Sequence, residues 1–196
     1  MTVSAGAQDD AREVGLSLRD PERFGVIFDR YFAEIHRYVA LRLGRDAADD
    51  IAAETFLTAF RQRRRFDASR GTVRAWLYGI VTRQLSRHRR QEVRAYRARE
   101  RVGPPAPEEG HADRVVDRVA AAAVRRELAG ALAELSAGDR EVLLLVALGG
   151  LSHADIAAAL AIPYGTVGSR LSRTRKKLRG LASVALENDR EEQADG

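Results

Sequence analysis

The stretch that decides the reading is LSHADIAAALAIPYGTVGSRLSRTRKKL, Leu151 to Leu178. Ser152 stands where a helix N-cap belongs, and Asp155, three residues on, supplies the carboxylate of a weak capping box. Ile156 and Leu160 then face inward. Pro163 cannot continue that helix but suits the opening turn of another, so Ala161-Ile162-Pro163 reads as a tight turn. In the second helix Val167, Leu171, Thr174 and Leu178 recur at steps of four, three and four, a stripe that docks on the first helix. The opposite face carries Thr166, Ser169, Ser172, Arg173, Lys176 and Lys177. Short hydroxyls near a helix start reach base edges in a major groove, and cations further along meet phosphates. The pattern is that of a helix-turn-helix with a recognition helix. For an ordinary hairpin with a solvated basic face, the cap, the turn and the two-faced pattern would have to coincide by accident.

About eighty residues upstream lies a second polyanion signal. An apolar, aromatic stretch from Val73 to Leu85 runs into RQLSRHRRQEVRAYRARER. Arg83, Arg87, Arg90, Arg94, Arg97 and Arg101 are spaced by fours and threes, which puts all six on one helical face. Between Arg61 and Arg101, fourteen arginines face three acids (Asp67, Glu92 and Glu100), a local charge of +11. Intrahelical ion pairs cannot neutralise this excess, whereas a polyphosphate can.

The formal net charge of the 196 residues is only +5, so its distribution says more than its total. Hydrophobic content of 45% with 6% aromatic points to Ala- and Leu-rich helical packing, and few segments show the period-two pattern of strands. With no cysteine, disulfides, thiol catalysis and cysteine-ligated zinc are excluded. The N-terminus has acids where a signal peptide needs an apolar core. The longest apolar run, Val142 to Leu148, is far too short for a membrane span, so a cytoplasmic location is expected.

The expected fold is all-α, two small helical domains joined by a flexible linker, the second containing the helix-turn-helix. Residues 1–22 read as a loose polar tail and 23–101 as a helical domain. Its first helix carries Phe24, Ile27, Phe28, Tyr31, Phe32, Ile35 and Val39. Gly44 interrupts, and Asp46 is placed to cap a helix with Ile51, Ala52, Phe56, Ala59 and Phe60 on its core side. Asp46, Asp50 and Glu54 lie four apart on another face. Residues 102–114, containing GPPAPEEGH, read as a linker. Residues 115–183 form the second domain, and 184–196 an acidic disordered tail.

DAADDIAAETFLTAF, RAWLYGIVTRQLSRHRR and LSHADIAAALAIPYGTVGSRLSRTRKKL, in this order, resemble an extracytoplasmic-function sigma factor, the smallest class of bacterial RNA polymerase sigma subunits. The resemblance implies a protein that binds core RNA polymerase and directs promoter-specific initiation through minus-10 and minus-35 elements. It places docking on the clamp coiled coil of the largest subunit at Asp46, Asp49, Asp50 and Glu54. Minus-10 capture falls on Phe66 to Arg90, with Arg70, Arg74, Arg83, Arg87 and Arg90 as contacts. There, an extruded base needs a flat or cationic surface. Minus-35 reading falls on Thr166, Ser169, Arg170, Ser172, Arg173, Lys176 and Lys177. An anti-sigma protein is a further partner that the family implies. No cofactor or metal is expected.

Two residues depart from the family. Arg83 replaces a usual Asn near the captured base, and an arginine cannot reproduce an amide's donor and acceptor pattern. Gly168 stands where Arg or Lys is common. Trp76 shares its surroundings with Val73, Leu77 and Ile80, which suits a core role, with base stacking as the alternative. Other functions find less support. A nuclease built on Asp46, Asp49, Asp50 and Glu54 has no histidine or lysine at helical spacing, and His36, His88, His111 and His153 are scattered. A stand-alone helix-turn-helix regulator, or a protein whose basic helix binds RNA, would use only one of the two elements.

Overall fold

The computed structural model describes residues 5–100, 130–132 and 134–194, with side chains for 6–91, 130–132 and 134–179; it is helical and, among these residues, contains no strand. Helix α1 spans Ala5–Leu16, α2 Gly25–Leu43, α3 Ala48–Gln62 and α4 Val73–Glu100. After these come α5 (Ala137–Ala147), α6 (His153–Leu160) and α7 (Tyr164–Ala194). The expected linker 102–114 lies outside the described residues.

The first core forms as the apolar spacing predicts. Phe24, Ile27, Ile35 and Val39 of the first segment are buried against Ala52, Phe56 and Ala59 of α3 and Val73, Leu77, Ile80 and Val81 of α4. Phe28 is the exception, at 40% exposure, but it stacks on Phe32 with centroids 4.7 Å apart and meets Phe56 edge-on at 5.1 Å. The Asp46 cap is not made. Helix α3 begins one residue later, with Ala47 at the N-cap and no side-chain cap, and Asp49 and Asp50 occupy its first turn, where carboxylates interact favourably with the helix dipole.

Two tails differ from expectation. The N-terminal stretch read as loose forms α1, because its docking relies on ion pairs rather than an apolar stripe. The nearly buried Asp10 accepts hydrogen bonds from Arg30 and the Tyr31 hydroxyl, Glu13 pairs with Arg23 at 3.2 Å, and only Val14 enters the core. A carboxylate this deep requires such partners. At the other end α7 continues to Ala194, so residues 184–194 are helical instead of irregular. Glu, Arg, Gln and Ala in that stretch are good helix formers.

The helix-turn-helix takes the expected form. Ser152 caps α6, accepting from the Asp155 amide at 3.1 Å and donating to its carboxylate at 2.7 Å. Ala161 closes the turn in the left-handed region (φ 52°, ψ 46°), and α7 starts directly after Pro163. Val167, Leu171 and Thr174 are buried against α5, whose N-cap is Ser136 and whose Val142 and Leu145 are fully buried.

The two halves do not stand apart, since their apolar residues form one continuous core. Helix α6 lies across α4 so closely that a Cβ on Gly79 would sit 2.6 Å from the Ala159 carbonyl oxygen, and one on Gly71 would sit 2.7 Å from the Ala158 Cβ. Only glycine permits that approach.

Candidate nucleic-acid interface

Three groups of predicted residues can now be placed. Asp46, just before α3, and Asp49, Asp50 and Glu54, on its first two turns, are all exposed. Asp49 is the one tied across to α2, its Oδ1 lying 2.8 Å from His36 Nε2, and Glu54 accepts from Thr58 at 3.2 Å. Among the described residues no three His, Cys, Asp or Glu side chains converge as a metal site would require. A cleft of about 820 Å³ separates α3 from α4, with Asp50 and Glu54 on one wall and Arg83, Arg87 and Arg90 on the other. No ion pair crosses it among the described residues, so both signs of charge stay available to partners. Gln84 spans the cleft floor, accepting from Thr55 at 2.5 Å and donating to Thr58 at 3.2 Å.

The minus-10 candidates divide. Arg70, Arg83, Arg87 and Arg90 are exposed. Arg74 is engaged within the molecule. Its Nε donates to Glu34 at 2.8 Å, its Nη2 to the Gly149 carbonyl at 2.6 Å, and its guanidinium lies over the Tyr78 ring at 5.5 Å. Burial disfavours the Arg74 charge, but the Glu34 partner more than restores it, leaving the group more basic than usual. The loop before α4 is held by Asp67, whose Oδ1 accepts from both the amide and hydroxyl of Ser69 at 2.9 and 2.7 Å. Those bonds, with Arg70 nearby, hold the carboxyl below its ordinary value. Trp76 is half-buried and packs on Phe66, ring centroids 5.2 Å apart, at the edge of a cleft of about 770 Å³ whose far wall is α6 and Tyr164. The first helix of the helix-turn-helix therefore covers this loop. Arg94 and Arg97 lie on the part of α4 whose side chains are not described, and Arg101 lies outside the described residues.

On α7, Ser169, Ser172, Arg173, Lys176 and Lys177 are exposed, and Thr166 and Arg170 are partly covered. Arg173 donates to Asp139 at 3.0 Å, and Lys177 reaches the carbonyl and, at 3.4 Å, the carboxylate of Glu134. Burial pushes the Asp139 carboxyl up, and the bonds from Arg173 and Ser136 outweigh it, leaving it below its usual range. These contacts are within the C-terminal half and fix how α7 presents its outer face. Arg170 instead turns toward Gly138, at 3.5 Å from its carbonyl.

Sequence reasoning missed the residues that join the halves. Arg42 makes a two-pronged bond to Glu141, 2.5 and 3.0 Å, and also donates to the Tyr38 hydroxyl at 2.8 Å. Burial disfavours the Arg42 charge, and the Glu141 bond more than compensates. Thr72 donates to Asp155 at 2.9 Å, and the buried Tyr78 hydroxyl reaches Glu34 at 3.0 Å. One signal was present in the sequence: Gly79 interrupts the apolar run AWLYGIV, and the alanines of ADIAAAL offer a flat partner.

Family models match both halves of the chain. The Sigma-70 region 2 model matches residues 27–95, and the Sigma-70, region 4 model matches residues 125–178. The ECF RNA polymerase sigma factor SigC of Mycobacterium tuberculosis is 33% identical over 186 residues, spanning 90% of this chain and 94% of its own. The structure of CnrH in complex with the cytosolic domain of CnrY is similar at a TM-score of 0.60 and 25% identity, covering 89% of this chain and 97% of that one; CnrH is an RNA polymerase sigma factor of Cupriavidus metallidurans. RpoE of Bartonella quintana, solved with the anti-sigma factor NepR, shares the fold at a TM-score of 0.57 and 24% identity, over 83% of this chain and 98% of that one. The ordered pair of modules and these likenesses together show that the chain belongs to the extracytoplasmic-function sigma factors, which direct promoter-specific transcription by RNA polymerase.

Proposed function

We propose that the chain meets its partners on three surfaces. Asp46, Asp49, Asp50 and Glu54 dock on the clamp coiled coil of the largest polymerase subunit. The loop and helix from Phe66 to Arg90 capture the minus-10 element, with Arg70, Arg83, Arg87 and Arg90 as its cations. The outer face of α7 reads the minus-35 element, Thr166, Ser169, Ser172 and Arg173 toward the bases and Lys176 and Lys177 toward phosphate. Residues 23–101 and 115–183 are the two modules that carry these surfaces. The protein acts in the cytoplasm, performs no hydrolytic step of its own, and is held inactive by an anti-sigma protein that covers these faces.

The observation that carries this reading is the unneutralised two-signed cleft between α3 and α4. Opposite charges that close intramolecular pairs would leave little for a partner; here the acidic wall suits a protein and the arginine wall a nucleic acid. Charge reversal at Asp50 and Glu54 is the test. It should weaken binding to core polymerase while leaving affinity of the full chain for a minus-35 duplex unchanged. Unaltered polymerase binding would remove the docking assignment.

The reading also requires the halves to part. The minus-10 and minus-35 elements lie about 25 base pairs apart, about 85 Å of duplex. Modules whose α4 and α6 touch cannot occupy both, so the closed arrangement is a resting form and promoter binding separates Arg42 from Glu141.

A further inference from the structure

Helix α1 precedes the Sigma-70 region 2 match at residues 27–95 and belongs to none of the three surfaces. It is nevertheless firmly docked on α2, since a carboxylate as deep as Asp10 is tolerated only with its Arg30 and Tyr31 partners. That docking fixes the position of one carbonyl. Just past the end of α1, Ser17 is fully buried; its amide donates to the Glu13 carbonyl at 2.9 Å and its hydroxyl to the Val14 carbonyl at 2.6 Å. The Ser17 carbonyl lies at the helix end, where the macrodipole is negative and carbonyls need donors from outside the helix.

The donor is Arg63, which is half-buried. Its Nε lies 3.3 Å from the Ser17 carbonyl oxygen, its Nη1 donates to the Phe60 carbonyl at 2.6 Å, and its guanidinium covers the Phe60 ring at 3.9 Å. Phe24 meets the same ring edge-on at 5.5 Å. Arg63 opens the short helical turn Arg63–Arg65, and its own carbonyl accepts from the Phe66 amide at 3.2 Å. From Phe66 the chain enters the loop held by Asp67 and Ser69 and reaches Thr72, whose hydroxyl caps α4 by accepting from the Ala75 amide at 3.1 Å. The loop is therefore fixed at its far end by the Thr72 cap and at its near end by α1, through Arg63.

We infer that Arg63 is a positioning residue for minus-10 capture: it ties the base of the Phe66 to Thr72 loop to the end of α1, which makes α1 a working part of the promoter-binding module. A loop already held in shape has less to order when the strand arrives. The guanidinium acts through the Ser17 and Phe60 carbonyls without touching DNA. The inference rests on the minus-10 assignment above.

The test is a titration of holoenzyme, core polymerase plus the full chain, with a fluorescent single-stranded oligonucleotide carrying the non-template minus-10 sequence of a promoter it transcribes. Arg63→Ala should weaken binding by about tenfold, the effect of one charge-assisted bond, with the same salt slope as the parent. A slope lower by about 0.7 would make Arg63 a phosphate contact and overturn the proposal. Asp10→Ala, which frees α1 from α2, should also weaken binding, and the double variant should be no worse than Arg63→Ala alone, since both break one path. Additive losses would show that α1 and Arg63 act separately, which refutes the tie. Arg63→Lys keeps a charged donor for the Ser17 carbonyl and should retain most of the affinity, which guards against misfolding of the alanine variant; a lysine variant as weak as the alanine one contradicts the role. Affinity for core polymerase should not change, and an equal loss there would reduce Arg63 to a general support of the fold. Arg70→Ala separates this inference from the assignment beneath it. A loss for Arg70→Ala with none for Arg63→Ala refutes the positioning role alone, whereas no loss for either removes the minus-10 assignment as well.

Discussion

The segment from Arg63 through α4 to Arg90 and the outer face of α7 are both rich in cations, yet the structure treats them differently. Around α4, helix α6 packs across Gly79, the loop from Phe66 to Thr72 faces α6 across a shared cleft, and Arg74 is spent on Glu34 and the Gly149 carbonyl. On α7, Ser169, Ser172 and Lys176 stay exposed, and the pairs made by Arg173 and Lys177 come from its own half. The difference teaches that charge alone does not tell a nucleic-acid contact from an internal clasp. On the assignment proposed above, it also gives the two DNA elements unequal access: in the closed form the face of α7 is open, and the loop from Phe66 to Thr72 must first be uncovered.

The largest effect should come from Glu141→Ala. Arg42 and Glu141 are each only 14% exposed, and removing one member of such a pair costs about 3 kcal/mol. Arg42 regains water if the halves part, so the loss should appear as opening, a larger radius of gyration by solution scattering, with little change in the helical signal. A chain that stays compact would show that the clasp is not what holds the halves.

Gly79→Ala sharpens the same comparison at smaller scale. Inside a free helix alanine is favoured by about 1 kcal/mol, whereas against the Ala159 carbonyl the overpacking penalty is about 1–3 kcal/mol. The variant should bind a minus-10 single strand more tightly than the parent in a fluorescence titration, while its affinity for a minus-35 duplex stays the same. An equal gain on both DNAs would break the claim of unequal access.

Within α7 the prediction concerns kind as much as size. Arg173→Ala should cost about 1–3 kcal/mol on the preferred minus-35 sequence and much less on scrambled duplex. Lys176→Ala should weaken both alike and lower the salt slope by about 1. If Arg173→Ala loses equally on both, Arg173 is a phosphate contact, and reading falls to Ser169, Ser172 or DNA shape.

The smallest effect is Ala161→Gly. Alanine at φ 52° carries left-handed strain of about 1 kcal/mol, which glycine relieves in part, so the thermal midpoint should rise slightly without change in DNA affinity. A fall in midpoint would mean that the unfolded-state entropy of glycine outweighs that relief.

What was legible in the sequence follows from these contrasts. The helix-turn-helix could be read because cap, turn and stripe are local: Ser152, Pro163 and the Val167 to Leu178 spacing each act within a few residues. The α2, α3 and α4 core could be read from apolar spacing alone. Helix α1 could not, because Asp10 is buried by pairing with Arg30 and Tyr31, twenty residues and more away, and in sequence it is simply polar. The clasp was hidden for the same reason, with 99 residues separating Arg42 from Glu141. The internal bonds of Arg74 were hidden too, because its position beside the stripe does not reveal that it aims at the Glu34 carboxylate and the Gly149 carbonyl.

The central claim, that this sigma factor rests closed and opens to span a promoter, is tested most directly by one distance. The chain has no cysteine, so Asp29→Cys and Arg175→Cys, both at exposed positions, give a clean label pair. The distance should be short and narrowly distributed in the free protein and longer by tens of ångströms, about the scale of the 85 Å promoter span, once core polymerase and promoter are added. An unchanged short distance in a complex that initiates transcription would contradict the account.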